Sequence, residues 1–185
     1  LEPIELIAVI QEVADSVMPF AADKSIAIHL PEKVHKLFVL ADLQRLKQIL
    51  INLLNNAIKY NKVGGSVWIS AETSHEEDGK KHVRIFVVDN GIGISEENLP
   101  KLFKPFERIG GDQFATEGTG LGLSVVEKLS QLMRGKVGVE SKVGEGSKFW
   151  IELPGTDANP TDLTHLKDSD EIDLSKKDTK GTLLL

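Results

Sequence analysis

Apolar residues recur with helical spacing in three segments of the chain, and they predict three helices. The segments are 6–17, 43–58 and 121–133. Asp42 stands directly before the second segment and makes a good N-terminal cap for its helix. Pro19 predicts the end of the first helix, because proline has no N–H to continue the hydrogen-bond ladder. A shorter helix is predicted from Ser95 to about Phe103.

Other segments predict strands, among them residues 25–30, in which Ile26, Ile28 and Leu30 alternate with other residues. They are 25–30, 37–40, 66–73, 82–88, 136–141 and 148–153, and residues 2–6 form a short extended entry. Helices and strands are therefore interleaved, with a tight glycine turn between the last two strands. This order predicts an α/β fold, a two-layer sandwich in which a mixed sheet is covered on one face by about three helices.

Composition then removes several classes of function. The 185 residues include no Cys, which excludes a disulfide framework, a Cys-based zinc site and a thiol nucleophile. No apolar run approaches the roughly 20 residues of a membrane-spanning helix. The net charge of −6 disfavours nonspecific binding to nucleic acid or to an anionic membrane. A nucleotide held by local donors remains compatible with that charge.

The end of the chain differs in composition from the rest. Residues 155–185 hold seven acidic and four basic residues, a net charge of −3, which is half of the total. They are rich in Asp, Thr, Ser and Lys and predict a flexible acidic linker after a folded body of residues 1–154. Since the first residue is Leu and no signal peptide follows, we expect a piece of a longer protein.

A glycine-rich passage carries the strongest functional signal. A predicted strand runs directly into Asp89-Asn90-Gly91-Ile92-Gly93, and a second cluster, 118–123, opens a helix. Glycine lets backbone N–H groups turn toward an anion, and a helix N-terminus adds its dipole. Either cluster alone is equally well explained as an ordinary loop, but together they predict a polyphosphate site. The spacing matches neither the dinucleotide fingerprint nor the phosphate loop of P-loop proteins.

The second predicted helix carries a polar stripe. Asn52, Asn56 and Lys59 follow each other at i, i+4 and i+7 and therefore share one side. An amide oxygen suits Mg²⁺, and a lysine one turn on can reach a phosphate. Asn is a poor helix former, so its repeated use here indicates a function. The alternative for the stripe by itself is a solvated helix face.

Five segments match, in order, the motifs of one known family. They are residues 52–60, 89–93, 102–108, 118–123 and 144–149. In turn they resemble the N box, the first G box, the F box, the second G box and the closing turn of sensor histidine kinases. The resemblance covers roughly residues 2–154. It implies the catalytic, ATP-binding domain of such a kinase, which has the Bergerat fold.

The resemblance implies roles for the residues around the base. Asp89 would accept a hydrogen bond from the exocyclic amine of adenine; its alternative is an ordinary residue at the start of a turn. Gly93 would let the base approach closely, and Gly91 would help to shape the site. Ser147 would add direct or water-bridged hydrogen bonds, and Tyr60 would lie near the sugar or base.

The resemblance also implies catalytic residues around the phosphates and Mg²⁺. Asn56 would bind the metal, Asn52 would support its water shell or a phosphate, and Lys59 would contact phosphate. Main-chain donors would come from Gly118, Thr119, Gly120, Leu121, Gly122 and Leu123. Residues 103–118 resemble the mobile ATP lid, within which Arg108 would either meet the γ-phosphate or form a rim charge.

Two departures refine the expected reaction. Asn52 stands where ATP-hydrolysing relatives of this fold carry a Glu that activates water, so transfer to a protein nucleophile is favoured over hydrolysis. None of the five histidines lies in the family's phosphoacceptor motif. We therefore expect a protein-histidine kinase domain that uses ATP and Mg²⁺ to phosphorylate a histidine on a separate dimerisation domain, encoded upstream in a homodimeric parent.

The resemblance implies partners as well: that dimerisation domain and the receiver domain of a response regulator, without nucleic acid or direct membrane contact. We expect a cytoplasmic domain of a parent that can be membrane-anchored. Residues 181–185 turn apolar, which indicates either an end introduced by cloning or the first strand of a further domain. The second explanation suggests a receiver domain and therefore a hybrid kinase. Two alternatives remain open. One is an ATP-hydrolysing machine of the same fold, such as a topoisomerase, mismatch-repair or chaperone ATPase, and the other is a pseudokinase that binds partners without nucleotide.

Overall fold

The computed structural model describes residues 1–31, 36–75, 79–107 and 120–157. These ranges contain three α-helices, a short 3-10 helix and seven strands. The helices are α1 (Leu6–Asp23), α2 (Leu43–Lys59) and α3 (Gly122–Leu132), and the 3-10 helix is Glu96–Lys101. The strands are β1 (Glu2–Glu5), β2 (Ala27–His29), β3 (Phe38–Ala41), β4 (Ser66–His75), β5 (Lys81–Asp89), β6 (Lys136–Lys142) and β7 (Gly146–Thr156).

The strands form one mixed sheet in the order β1-β3-β7-β5-β4-β2, with β6 also paired to β7. Only β2 and β4 run parallel within the described sheet, and the other neighbours are antiparallel. One edge of β7 pairs with β5, in a register that places Asp89 opposite Ser147. Its other edge pairs first with β6 and then, at Gly155 and Thr156, with β3.

The core lies between the helices and one face of the sheet. Successive residues of a strand point to opposite faces, and along β5 and β7 the residues on the inner face are buried. These are Val83, Ile85, Val87, Phe149, Ile151 and Leu153. The apolar sides of α1 and α2 cover them with residues such as Ile10, Leu46 and Leu53, which are nearly inaccessible. Each such side chain contributes roughly 1.5–3 kcal/mol when buried. The predicted two-layer sandwich is confirmed.

The predicted end of the first helix is wrong. Helix α1 continues through Pro19 to Asp23. Pro19 removes one hydrogen bond to the carbonyl of Asp15, but both residues are exposed, so water can bind that carbonyl. Val17 and Ala21, one on each side of the proline, are buried and keep the last turn on the core.

Other predicted bounds change by a few residues. β2 is shorter than the predicted strand at 25–30, and the short helix after Ser95 is a 3-10 helix. β7 extends past Leu153 to Thr156, because its last residues find a partner in β3. Asp42 caps α2 as predicted, with its side chain accepting from the Arg45 backbone N–H. No helix within the described ranges has the length and apolarity needed to cross a membrane.

Candidate functional site

Asp89 ends β5 as a buried carboxylate, with only 7% of its surface exposed. Its Oδ1 accepts a hydrogen bond from the Gly91 backbone N–H at 2.8 Å. Burial raises the pKa of Asp89 above its ordinary value, while the backbone N–H groups of Gly91 and Ser147 partly oppose that rise. A buried carboxylate with a raised pKa at the end of a strand is typical of a ligand-binding group.

The loop after Asp89 is packed closely between two other segments. A Cβ built on Gly91 would lie 2.4 Å from the Tyr60 carbonyl oxygen at the end of α2. Gly93 has φ +68°, and a Cβ there would lie 1.9 Å from the carbonyl oxygen of Lys142 in β6. Both positions therefore need glycine for the protein's own packing. The loop is fixed between α2 and the β6–β7 turn.

Backbone hydrogen bonds hold the same loop on both sides. The Ile92 N–H donates to the Tyr60 carbonyl oxygen at 3.2 Å, and the Ile92 carbonyl accepts from the Gly144 N–H at 2.8 Å. On the far side of the loop, Asn90 accepts from the Ser66 N–H at 2.8 Å. The end of α2, the loop after β5 and the β6–β7 turn thus form one continuous wall beside Asp89.

The polar stripe on α2 lies beside the first turn of α3. Asn52, Asn56 and Lys59 are half-buried, whereas Asn55 is exposed. A Cβ built on Gly122, the first residue of α3, would lie 3.9 Å from the Asn52 Oδ1. The fold thus places the N box beside the second G box, although about 70 residues separate Asn52 from Gly122 along the chain.

The N-terminus of α3 is available to an anion. Among the described residues, no side chain caps it, and the first-turn N–H groups have no partner within the helix. Gly120 has φ +71° and accepts from the Phe106 N–H at 3.2 Å, which joins the F box to the start of α3. Leu121, Gly122 and Leu123 follow, all half-buried.

Tyr60 and Lys59 connect the two ends of the site. Tyr60 ends α2, and the Lys59 Nζ lies 5.0 Å from the centre of its ring. From Asn52 to Tyr60 the helix spans about 12 Å, since it rises 1.5 Å per residue. A ligand that contacts Asp89 at one end and the start of α3 at the other would therefore lie along the second half of α2.

A family model supplies the deciding comparison. The model of histidine kinase-, DNA gyrase B- and HSP90-like ATPases matches residues 41–157. The chain belongs to this family. Because the matched family consists of ATPases, ATP is the nucleotide that the domain binds.

The relatives place the chain among sensor histidine kinases within that family. Histidine protein kinase DivJ of Caulobacter vibrioides is 43% identical over 114 residues, 62% of this chain and 18% of DivJ. The catalytic domain of histidine kinase ThkA is 31% identical, with a TM-score of 0.70 over 83% of this chain and 94% of that domain. The predicted resemblance to a sensor histidine kinase catalytic domain is confirmed.

Two further structures extend the comparison. Full-length ShkA in complex with AMPPNP is 34% identical, with a TM-score of 0.70 over 86% of this chain and 32% of ShkA. ThkA in complex with the response regulator protein TrrA is 29% identical, with a TM-score of 0.67 over 84% of this chain and 42% of ThkA. The chain spans about a fifth of the length of DivJ.

The histidine kinase motifs thus converge on one site, as far as the structure describes them. The N box, the first G box, the end of the F box and the closing turn are in contact, and so is the second G box from Gly120 onward. Arg108, Gly118 and Thr119 lie outside the described residues, as does most of the segment that resembles the ATP lid. Their predicted roles stay predictions.

The sequence motifs miss several residues that shape this kinase site. Lys24 donates from Nζ to the carbonyl oxygens of Ile58 at 3.3 Å and Lys59 at 2.7 Å, and so satisfies the end of α2. Asn61 donates to the Ser66 carbonyl oxygen at 3.0 Å. Only Asn61, which directly follows the N box, has a signal in the sequence. Lys24 belongs to no motif and becomes visible only in the folded chain.

The closing turn contains a second network that the motifs miss. Ser147 is 8% exposed, and its Oγ lies 2.9 Å from the Oγ of Ser141. Ser141 Oγ also accepts from the Ile94 N–H at 2.9 Å and lies 2.8 Å from the Gly146 carbonyl oxygen. One hydroxyl group therefore joins the loop after β5 to both strands of the β6–β7 hairpin.

Proposed function

We propose that this domain binds Mg·ATP and presents the γ-phosphoryl group to a histidine on a separate dimerisation domain of its parent protein. The observation that carries the proposal is the position of Asn52 on α2 beside Gly122 at the start of α3. It supports a site in which the phosphates of the nucleotide bind near Asn52 and Gly122, the phosphate end. The buried Asp89 supports binding of the base at the other end of the site, the base end.

At the base end, the ionised Asp89 accepts a hydrogen bond from the exocyclic amine of adenine. The carboxylate is already desolvated in the protein, so a ligand donor restores part of the hydrogen bonding that it lost with water. Gly91 and Gly93 hold the loop beside it, and Ser147 contributes a direct or water-bridged contact. Tyr60 lies near the sugar or base.

At the phosphate end, Asn56 provides an amide oxygen to Mg²⁺, and Asn52 supports the metal's water shell or a phosphate. These neutral oxygens, half-buried on one side of α2, fit a cation that shares its other positions with water and phosphate. When bound, Mg²⁺ neutralises charge on the phosphate oxygens. Lys59 adds a positive charge, and Arg108 from the lid meets the γ-phosphate.

The phosphates also receive main-chain donors from the second G box. Gly120, Leu121, Gly122 and Leu123 form the start of α3, which no side chain in the described part of the protein caps and where N–H groups and the helix dipole favour negative charge. Gly118 and Thr119 extend this loop in the sequence. Catalysis consists mainly of positioning and charge neutralisation.

The reaction is transfer and not hydrolysis. Asn52 is an amide and cannot take a proton from water, whereas a neutral histidine imidazole on a partner domain is already nucleophilic. The response regulator that receives the phosphoryl group next is the second partner. The ThkA complex with a response regulator supports this pairing by similarity. The predicted linker begins after β7, which ends at Thr156, and residues 157–185 act as an acidic linker that in a hybrid parent leads to a receiver domain on the cytoplasmic side.

The decisive experiment mixes this domain and labelled ATP with the dimerisation domain of the same parent. We expect labelled histidine with the wild type and no label with Asn56→Ala. Asn55→Ala is the matched control, because Asn55 is the exposed neighbour on the same helix and should leave labelling unchanged. Labelling that survives in Asn56→Ala would refute the metal assignment. Steady ATP hydrolysis without histidine labelling would favour the ATP-hydrolysing class, and the absence of any nucleotide binding would favour a pseudokinase.

A further inference from the structure

We propose that Ser141 is a positioning residue that fixes the hydroxyl proton of Ser147 and thereby makes the base site select for a ligand amine. Ser141 lies outside the five motifs and is half-buried at the end of β6. The proposal rests on the proposed function, because it concerns the site where adenine would bind. It adds a specificity-determining contact behind that site.

The direction of each hydrogen bond follows from the partners of the Ser141 Oγ. The Ile94 N–H can only donate, so Ser141 accepts from it at 2.9 Å. The Gly146 carbonyl oxygen can only accept, so the single proton of Ser141 is directed to it at 2.8 Å. Ser141 has no second proton to donate to Ser147. In the 2.9 Å hydrogen bond between the two hydroxyls, Ser147 is therefore the donor and Ser141 the acceptor.

The opposite assignment leaves a contact unsatisfied. If Ser141 donated to Ser147, its oxygen would face the Gly146 carbonyl oxygen at 2.8 Å with lone pairs on both atoms. Two acceptors at that distance repel each other, whereas the first assignment satisfies all three contacts. The Ser147 hydroxyl therefore donates its proton to the Ser141 Oγ, and this proton is not available to a ligand.

This arrangement determines what the base site can accept. Ser147 is left with lone pairs only, and it pairs in register with Asp89, whose carboxylate is also an acceptor when ionised. Two neighbouring acceptors require a donor, directly or through a water molecule. The 6-amino group of adenine is such a donor, whereas the 6-oxo oxygen of hypoxanthine would bring a third set of lone pairs. Ser141 thus favours an aminopurine over an oxopurine.

The test compares ADP with inosine diphosphate, in which a 6-oxo group replaces the 6-amino group and N1 carries a proton. The N1 difference is the same for every variant, so a change in the preference between variants reports the contact at the 6-position. Dissociation constants of both are measured by calorimetry for the wild type, Ser141→Ala, Ser147→Ala and the double variant. In Ser141→Ala the freed Ser147 hydroxyl can donate to the 6-oxo oxygen. We therefore expect the preference for ADP to fall about three- to tenfold, the effect of one hydrogen bond. In a protein that already carries Ser147→Ala, adding Ser141→Ala should leave the ratio of the two dissociation constants unaltered.

Two variants serve as controls. Ser141→Thr keeps the hydroxyl and should retain the wild-type ratio. Ser16→Ala removes a hydroxyl that bonds to the Val13 carbonyl oxygen on α1, away from the site, and should change neither constant. If Ser141→Ala does not fold, Ser141→Cys provides a similar volume with a weak donor, and the preference should fall in it as well.

The possible outcomes separate the two proposals. Two results would overturn the role of Ser141 without affecting the proposed function. One is an equal loss of affinity for both nucleotides, and the other is an unchanged ratio of the two dissociation constants in a folded Ser141→Ala or Ser141→Cys protein. The role of Ser141 would also be overturned if Ser141→Ala changed the ratio of the two dissociation constants equally in the wild-type and Ser147→Ala backgrounds. A wild-type domain that binds neither nucleotide would overturn the proposed function, and with it the role of Ser141.

Discussion

Gly91 and Tyr60 are in such close contact that no side chain fits between them. A Cβ on Gly91 would lie 2.4 Å from the Tyr60 carbonyl oxygen and 2.9 Å from the Asn61 Cα. Both neighbours are backbone atoms, which cannot rotate away. This contact joins the first G box to the end of the N box, so the geometry of the base site depends on the position of α2.

We predict that Gly91→Ala separates these two motifs. The added methyl group should lower the free energy of unfolding by about 1–3 kcal/mol, the usual cost of overpacking. Nucleotide affinity should fall with it, because the loop that carries Asp89 must move. Denaturant unfolding and calorimetry measure the two effects. Gly79→Asn is the control: φ is +78° there, nothing lies within 4 Å of a Cβ, and Asn tolerates this conformation. A folded, fully binding Gly91→Ala protein would contradict the prediction.

Asp89→Asn should weaken nucleotide binding without lowering the stability of the domain at neutral pH. The variant loses a charged acceptor, and we expect ADP affinity to fall about 10- to 100-fold, as for a hydrogen bond to an ionised group. Stability at neutral pH should not fall, because burial raises the pKa of Asp89 and the ionised form therefore costs folding free energy.

The pH dependence provides an independent check of Asp89. Its stability contribution is fully present below the ordinary pKa of 3.8 and is lost as the pH rises through the higher pKa of the folded state. Stability of the wild type relative to Asp89→Asn should therefore decline across that window. Ser16→Ala, an exposed change on α1 that removes no titratable group, should show no such decline. A parallel pair of stability curves would show that Asp89 is not perturbed by burial.

Glu152 should make the domain sensitive to acid. Burial by itself raises the pKa of Glu152, but hydrogen bonds from Arg84 and Ser74 outweigh it, and the pKa lies below its ordinary value of 4.5. Its stabilising effect is thus present above pH 4.5 and is lost as the pH falls through the folded-state pKa. The Arg84 Nη2 lies 2.7 Å from the Glu152 Oε2, and Glu152 is only 5% exposed.

We therefore expect Glu152→Gln to reduce the free energy of unfolding at neutral pH by about 1–3 kcal/mol, since a charged hydrogen bond is lost. The difference from the wild type should shrink in acid. Glu140→Gln breaks an exposed 3.6 Å pair with Lys148 and should change stability by less than about 0.5 kcal/mol. Equal effects of the two variants in urea titrations would argue against a special role for Glu152.

Lys24 should support the site from outside the motifs. Its Nζ satisfies two carbonyl oxygens at the C-terminus of α2, directly before Tyr60. We expect Lys24→Met to lower the free energy of unfolding by about 0.5–1.5 kcal/mol and to weaken nucleotide binding, because the last turn of α2 can then fray. Lys128→Met, an exposed change on α3, is the control. Unchanged binding in a destabilised Lys24→Met protein would restrict the role of Lys24 to folding.

Local patterns predict most of the fold because they act over a few residues. The apolar faces of α1, α2 and α3, the alternation in β5 and β7, and the cap at Asp42 are all readable from the chain. Where a prediction failed, long-range contacts outweighed a local preference. Buried Val17 and Ala21 carry α1 past Pro19, and pairing with β3 extends β7 to Thr156.

The site, like the fold, has one part that the sequence indicates and one part that only the tertiary structure determines. The resemblance of five short motifs to those of one known family indicated the family and the candidate residues from Asn52 to Ser147, since the residues of each motif lie within a few neighbouring positions. Only the tertiary structure decided that Asn52 meets Gly122, that Asp89 pairs with Ser147, and that Lys24 and Ser141 support them. These contacts join segments far apart in the chain, and no local spacing encodes which distant backbone a hydroxyl or an ammonium group will reach.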